Sequence, residues 1–444
     1  MNAIAGRKTN NGKLEGYTIM AGRFCVLFDL DGTLTQSEDG IWNCIGYMAD
    51  KLGVPRPAEE KKALFVGPPL EYSFKNYMGL PDERIPEALA AYRERYFTVG
   101  FLENRVYPGI RRLMRTLKKR DAFIAVCTGK PEIPTRKILS YFGFDRWVDA
   151  LACATDGHAE KEDLIKKVVP EDAGEVWMVG DRRFDMEGGN KAGVHTLGVT
   201  YGYGTEEELR EAGAEKIAHS VQEVIDLLCP GIQPPEGAFL SIEGLDGSGK
   251  STQINKLTDN LTMFGFEVVH SREPGGCPIS EKVRDILLDR ENTEMEDVTE
   301  AILYAASRAQ HVRQVIRPVI ASGKVMLCDR FVDSSVAYQG GGRQLGVDYV
   351  LNINAPAVDG TLPIATVYLD IDSRASLQRR VNASEPDRIE MESANFHARV
   401  EAAYHDLIRR DPERFVVVNA KQSPDEIAEK IWQEIRKRLT EAEA

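Results

Sequence analysis

Between Gly237 and Gln253 the chain reads GAFLSIEGLDGSGKSTQ, and few stretches this short limit a fold so tightly. Ala238 to Ile242 is a short apolar run of strand type, and Thr252 to Phe264 reads as a helix. Between them Gly244, Leu245, Asp246, Gly247, Ser248, Gly249, Lys250 and Ser251 match G-x-x-x-x-G-K-[ST] without a gap. Strand, glycine loop and helix in this order form a phosphate-binding loop. The glycines let backbone N–H groups turn inward around phosphate oxygens, and the helix N-terminus adds a partial positive charge. Lys250 is then placed to reach the β- and γ-phosphates of a nucleotide, and Ser251 to ligate Mg2+. The bland alternative, a flexible glycine linker, does not explain the strand and helix on either side.

The loop sits past the middle of 444 residues, so the chain holds at least one further domain before it. Hydrophobic residues make up 43% and charged residues 28%, which places the chain among globular proteins. A net charge of −13 argues against general nucleic-acid binding but leaves room for a local basic pocket around a phosphorylated substrate. The 7 cysteines are scattered and include no C-x-x-C pair; Cys25, Cys127 and Cys328 lie in apolar strand-like runs, as buried reduced thiols do. This fits a reducing cytoplasm, and no apolar run approaches the length of a membrane span. Residues 1–20 are polar and Gly/Asn-rich, and we expect a disordered leader there. Cys229 to Glu236 reads CPGIQPPE, which has no periodicity. It divides the chain into a first domain over 21–229, a linker over 230–236 and a second domain over 237–444.

In the first domain, Arg23 to Phe28 is an apolar strand that runs into Asp29-Leu30-Asp31-Gly32-Thr33-Leu34. Residues two apart on a strand point the same way, so Asp29 and Asp31 are expected together at its C-terminal end, where open α/β sheets place ligands. Two neighbouring carboxylates repel unless a cation is shared or one is protonated, which suits a Mg2+ site with one oxygen left as nucleophile. A solvated turn would explain the pair alone. Two further strands, over Ala122–Cys127 and Val176–Val179, end in Thr128-Gly129-Lys130 and in Gly180-Asp181-Arg182-Arg183-Phe184-Asp185, and Lys161 opens a helix between them. Alone, Thr128 is a helix cap and Lys161 a surface charge. The ordered set resembles the haloacid dehalogenase-like hydrolases over roughly Arg23 to Leu228.

That resemblance implies roles. Asp29 attacks phosphorus and forms an aspartyl-phosphate; Asp31 protonates the leaving group and then activates water. Thr128 and Lys161 hold the phosphoryl oxygens, and Asp181 with Asp29, Asp31 and Asp185 makes the Mg2+ site. Between 36 and 105 no strand is evident, while Ile41, Ile45 and Met48, then Leu89, Tyr92 and Tyr96, recur at helical spacing. A helical insertion there resembles the family's cap. Val66-Gly67-Pro68-Pro69-Leu70, Asn104 to Gly109 and the tail Tyr201-Gly202-Tyr203-Gly204 resemble the phosphoglycolate-phosphatase-like and 5'-nucleotidase-like branch. The substrate class implied is a small phosphomonoester.

In the second domain, Phe266–His270 and Lys324–Cys328 read as strands, Val367–Ile371 and Phe415–Asn419 as two more, and Thr299 to Ile316 as a helix. Tyr304 and Arg308 share one face of that helix, where core and surface positions would explain them separately. Together, DGSGKST, REPGG, LYAASR, DRFVDSSVAYQGGGR and DRIE resemble bacterial thymidylate kinases from Gly237 to the C-terminus. This implies ATP held by Gly244 to Thr252, with Ser251 and Asp329 at Mg2+, and dTMP as acceptor. Asp246 and Glu273 would hold its sugar and phosphate region, and Arg284 and Arg330 would grip the phosphate. Tyr304 would stack on the base, Arg308 would bond a carbonyl of it, and Ser334, Ser335 and Gln339 would line its pocket. Tyr338 would crowd the ribose 2' position. Family members usually have Phe where Tyr304 stands, and a lid arginine assists transfer. The candidates here are Arg379, Arg380 and Arg388, with Val381 to Ser384 where basic residues are usual.

Both domains alternate strands and helices, so the expected fold class is α/β, two sandwiches each built on a parallel sheet. The expected activity is a Mg2+-dependent phosphatase joined to a dTMP kinase, with a homodimer through the kinase half implied by the family. Two narrower readings stand beside it: a kinase whose first half only binds a ligand or partner, and a phosphatase whose second half has become a binding module.

Overall fold

A computed structural model describes residues 22–68, 70–154, 160–380, 388–389 and 391–443; the expected leader and the lid residues 381–384 lie outside them, as does the side chain of Arg380. The first half is organised on a parallel six-stranded sheet, β5-β4-β1-β6-β7-β8. Its strands are β1 (Arg23–Phe28), β4 (Phe123–Thr128), β5 (Ala150–Cys153), β6 (Ala173–Gly180), β7 (His195–Val199) and β8 (Lys216–Ala218). The second half carries a parallel five-stranded sheet, β10-β11-β9-β12-β13. These are β9 (Ala238–Gly244), β10 (Val268–Arg272), β11 (Val325–Asp329), β12 (Ala365–Asp370) and β13 (Phe415–Asn419). β1 lies between β4 and β6, and β9 between β11 and β12. The connection from β1 runs to the β4 side while that from β6 runs to β7, and the connection from β9 runs to the β10 side while that from β12 runs to β13; this reversal opens a crevice at the C-terminal ends of β1 and β9. Asp29 follows one such strand and the phosphate loop the other.

The insertion is helical, as its spacing predicts. Helices Glu38–Leu52 and Ile85–Tyr96 bury Ile41, Ile45, Met48, Leu89, Tyr92 and Tyr96 in a core of their own. A short antiparallel ribbon, β2 (Thr35–Gln36) on β3 (Arg105–Val106), fastens it to the sheet domain. Periodicity does not announce this ribbon, because two residues are too few to show an alternation.

The halves are welded rather than strung on their linker. Helix Lys250–Met263 starts at the phosphate loop and ends at Phe264, whose ring lies 5.1 Å from Phe142 of the first half and 4.7 Å from Trp432 of the second. Gly109 N–H donates to the Gly265 carbonyl at 3.1 Å, and a Cβ on Gly265 would stand 2.4 Å from Val106 Cγ1. Buried Arg111 ion-pairs with Glu443, donates to the Phe142 carbonyl and lies over the Phe266 ring; its neighbour Arg112 pairs with Glu267 at 2.7 Å. One hydrophobic cluster therefore runs through both sheets. Ile427, Ile431, Trp432, Ile435 and Leu439, expected on one helix face, are all buried in it.

Candidate active sites

The strand β1 stops at Phe28, so Asp29 and Asp31 stand on the loop beyond it and their side chains part. The carboxylate of Asp29 meets those of Asp181 and Asp185, with ligand atoms within 4.8 Å of one another. Asp31 turns instead to Lys130, at 2.9 Å, so its carboxylate is not in the cluster where sequence reasoning had placed it. Lys161, at the first position of its helix, bonds Asp29 at 2.7 Å, Asp185 at 2.6 Å and the Cys127 carbonyl at 2.9 Å. Thr128 closes β4 and is buried beside this cluster's strand.

Three buried carboxylates face one ammonium. Burial first, then the charge of Asp185, outweighs Lys161 and pushes Asp29 up to about 7. Burial with the charges of Asp185 and Asp29 likewise pushes Asp181 well above the usual carboxylate range. This excess negative charge is what a divalent cation would relieve, so the residues present fit one. The glycines expected from the motifs have a steric reason here. A Cβ on Gly32 would lie 2.1 Å from Asp181 Oδ2, one on Gly202 2.4 Å from its Cβ, and one on Gly204 2.0 Å from its carbonyl. The tail 201–204 therefore wraps Asp181, and Tyr203 N–H donates to it at 2.9 Å. The cap is shut on the core: Tyr203 Oη accepts from the Ser37 and Glu38 N–H groups, and Arg182 donates to the Val66 carbonyl at 3.2 Å.

In the second half the phosphate loop follows β9, with Gly244, Gly247 and Gly249 at φ 147, 83 and 98, open to glycine alone without strain. Lys250 Nζ is turned onto the loop's own carbonyls, those of Gly244 and Leu245, at 3.1 and 3.2 Å. From Asp246 to Thr252 the loop borders a cavity of about 520 Å3 that includes Glu273, Arg284, Tyr304, Arg308, Asp329, Arg330, Ser334, Ser335, Tyr338, Gln339 and Arg379. The dTMP-pocket residues read from separate motifs thus share one space. Arg330 pairs with Asp246; burial would raise that carboxyl, but Arg330 and Lys250 hold it well below its ordinary value. Tyr338 Oη donates to Asp246 at 3.2 Å, and Arg330 also donates to Ser334 at 3.1 Å. Arg284 donates to the Pro274 carbonyl at 2.8 Å. Asp329 and Gln339 line the cavity, and Asp329 Oδ1 and Gln339 Oε1 are buried with no hydrogen-bond partner.

Arg308 is more committed than its expected role implies. It is 1% exposed and bonds Glu273 at 2.7 Å, Asn354, the Phe331 carbonyl and Ser335. Glu273 also bonds His311 at 3.0 Å. Of the lid candidates, Arg379 lines the cavity and donates to the Ala420 carbonyl, whereas Arg388 is anchored by buried Glu300 at 2.6 Å and the Leu287 carbonyl. Sequence reasoning passed over Glu243, which is fully buried under the loop and receives the Phe331 N–H, the Ser334 hydroxyl and Tyr404 Oη. Its signal was a lone acid inside an apolar strand, FLSIEG, which has no place there without partners. Asn354 and Glu300 carried no comparable local signal.

Comparison with known proteins agrees with both geometries. Residues 242–431 match the family model for thymidylate kinase and residues 26–199 that for haloacid dehalogenase-like hydrolase. The thymidylate kinase of Limosilactobacillus fermentum is 45% identical over 208 residues, 46% of this chain and 97% of that one. That of Geobacillus sp. strain WCH70 is 47% identical over 194 residues, 43% of this chain and 92% of the relative. Among solved structures, a haloacid dehalogenase-like family hydrolase from Streptococcus pneumoniae is 30% identical and covers 46% of this chain and 98% of its own, with a TM-score of 0.43. The chain belongs to the thymidylate kinase family through its C-terminal half, and joins to it an N-terminal half of the haloacid dehalogenase-like hydrolases.

Proposed function

We propose that the chain is a bifunctional enzyme that makes dTDP from dTMP and ATP and, at its other site, hydrolyses a small phosphomonoester through an aspartyl-phosphate. The observation that carries the kinase reading is the single cavity lined by the phosphate loop, Arg284, Arg330, Tyr304 and Gln339. A phosphate oxygen of dTMP, gripped by Arg284 and Arg330, attacks the γ-phosphorus of ATP; the bond to the β–γ bridging oxygen breaks, leaving dTDP and ADP. Lys250 leaves the loop carbonyls for the phosphates, and Tyr304 and Gln339 receive the base. Positioning and charge neutralisation do most of the work. Ser251 and Asp329 would hold Mg2+ there, which supplies further neutralisation of the phosphates.

In the other half, Asp29, Asp181 and Asp185 would hold Mg2+, which when bound draws charge from the phosphoryl oxygens. An Asp29 oxygen attacks phosphorus while the ester P–O bond breaks, and Asp31 gives its proton to the leaving oxygen. Asp31 then takes a proton from water, whose oxygen attacks the acyl phosphate and releases phosphate and free Asp29. Lys161 and Thr128 steady the phosphoryl group. A chain that hydrolysed dTMP quickly would waste ATP in a cycle, so dTMP is a poor substrate of this site. A homodimer through the kinase half finds support in Ile279, Ile286, Val298 and Ile302, apolar side chains exposed on two adjacent helices.

The test compares the unaltered protein with Asp29→Asn, given ATP, Mg2+ and dTMP, following dTDP and free phosphate separately. Formation of dTDP by both, with no phosphate from dTMP, is the expected result. Absence of dTDP overturns the kinase reading, and rapid phosphate release from dTMP without ATP overturns the substrate claim.

A further inference from the structure

Lys130 has no part in the roles above, although it closes the Thr128-Gly129-Lys130 motif. Its backbone N–H donates to Thr128 Oγ1 at 3.2 Å, a turn that folds its side chain back over the end of β4. There the ammonium is almost buried and touches two groups from different parts of the fold. One is Asp31 Oδ2 of the core, at 2.9 Å. The other is Tyr96 Oη of the cap, at 2.6 Å, with the Tyr96 ring centroid 4.8 Å from the nitrogen. Tyr96 is itself fixed, stacked on Tyr92 at 5.4 Å in the cap core.

The consequence falls on Asp31. One of its oxygens is held by Lys130, and the other, Oδ1, is buried with no partner. We propose that Lys130 is a positioning residue that fixes Asp31 with Oδ1 presented to the leaving group, and that Tyr96 makes this hold complete only when the cap is shut. Proton donation is thereby tied to closure. The proposal rests on the phosphatase reading of this half and deepens it.

A misplaced proton donor has a signature that general damage lacks: it hurts poor leaving groups more than good ones. The experiment measures kcat and KM with Mg2+ for 4-nitrophenyl phosphate, whose leaving group needs little protonation, and for phenyl phosphate, whose leaving group needs more. For Lys130→Met, kcat on phenyl phosphate is expected to fall roughly a hundredfold and on 4-nitrophenyl phosphate by about tenfold or less, with KM nearly unchanged. Lys130→Arg restores part of the loss. Tyr96→Phe keeps the ring and its stacking but removes the hydroxyl, and shows the same bias in weaker form. It serves as the second variant should Lys130→Met fold poorly, and dTDP formation by the same chain reports on intactness. Equal losses on both esters, or none, overturn the proposal while leaving the phosphatase reading in place. If the unaltered protein hydrolyses neither ester, that reading falls and this role with it.

Discussion

The two sites handle the same chemical group with opposite charge. In the first half three buried carboxylates share one lysine, and the site is short of positive charge. In the second, Lys250, Arg284, Arg330 and Arg379 border the cavity around Asp246, and the site is short of negative charge. On the proposed reading, one recruits a cation before it accepts a phosphoryl group, and the other is ready for anions as it stands. The proposed mechanisms account for the difference by where the nucleophile comes from. A site whose own carboxylate attacks must carry acids, whereas a site where the substrate's phosphate attacks can be built from cations and backbone N–H groups.

The largest effects should separate the halves cleanly. Asp29→Asn is expected to lower phosphomonoester hydrolysis by about a thousandfold or more with dTDP formation intact, and Lys250→Met to do the reverse; both are read in one steady-state assay. A substitution that silenced both activities in a folded chain would break the comparison. Next in size, Arg308→Leu leaves Glu273 in the kinase core with His311 alone and should cost about 3–5 kcal/mol in urea unfolding, because a buried charge loses its guanidinium partner. A divalent cation bound at Asp29, Asp181 and Asp185 should then stabilise the whole chain. At a hundredfold excess over Kd, Mg2+ adds about 2.7 kcal/mol, and the gain should vanish in Asp181→Asn, measured by thermal unfolding with and without chelator.

The smallest effect sharpens the comparison within the kinase half, where Glu243 is a buried acid beneath the phosphate loop. Burial first, and then the charge of Asp333, pushes it from its ordinary 4.5 to about 7. Between those values the folded chain binds more protons than the unfolded one, so this group's contribution to stability is present below pH 4.5 and is lost as pH rises through 7. Glu243→Gln should flatten that decline by on the order of 1 kcal/mol, read as the midpoint of urea unfolding at a series of pH values.

What was legible in the sequence is what a short segment settles by itself. The phosphate loop, the aspartate motif after β1 and Lys161 at its helix start are runs whose strand, turn and helix are local, so their places at strand ends and a helix start could be read before any packing was known. Asp31 went astray because the i, i+2 rule holds on a strand, and β1 ends one residue before Asp29. No local pattern reveals Asn354, 46 residues away, which shares the donors of Arg308. Arg388 was read as part of a lid by its neighbours in sequence, while Glu300, 88 residues distant, decides where it sits. The seam lay furthest out of reach: Arg111 and Glu443 are 332 residues apart, and each alone reads as a surface charge.

That seam changes what a lesion in this protein means. Two domains on a loose tether melt separately, and damage to one leaves the other's midpoint alone. Here Phe264 is wedged against Phe142 and Trp432 inside a core that belongs to neither half. Heat or denaturant therefore meets a single cooperative body. A truncation at the linker uncovers apolar surface on both fragments, and a weakening substitution far from the phosphate loop lowers the temperature at which nucleotide phosphorylation survives.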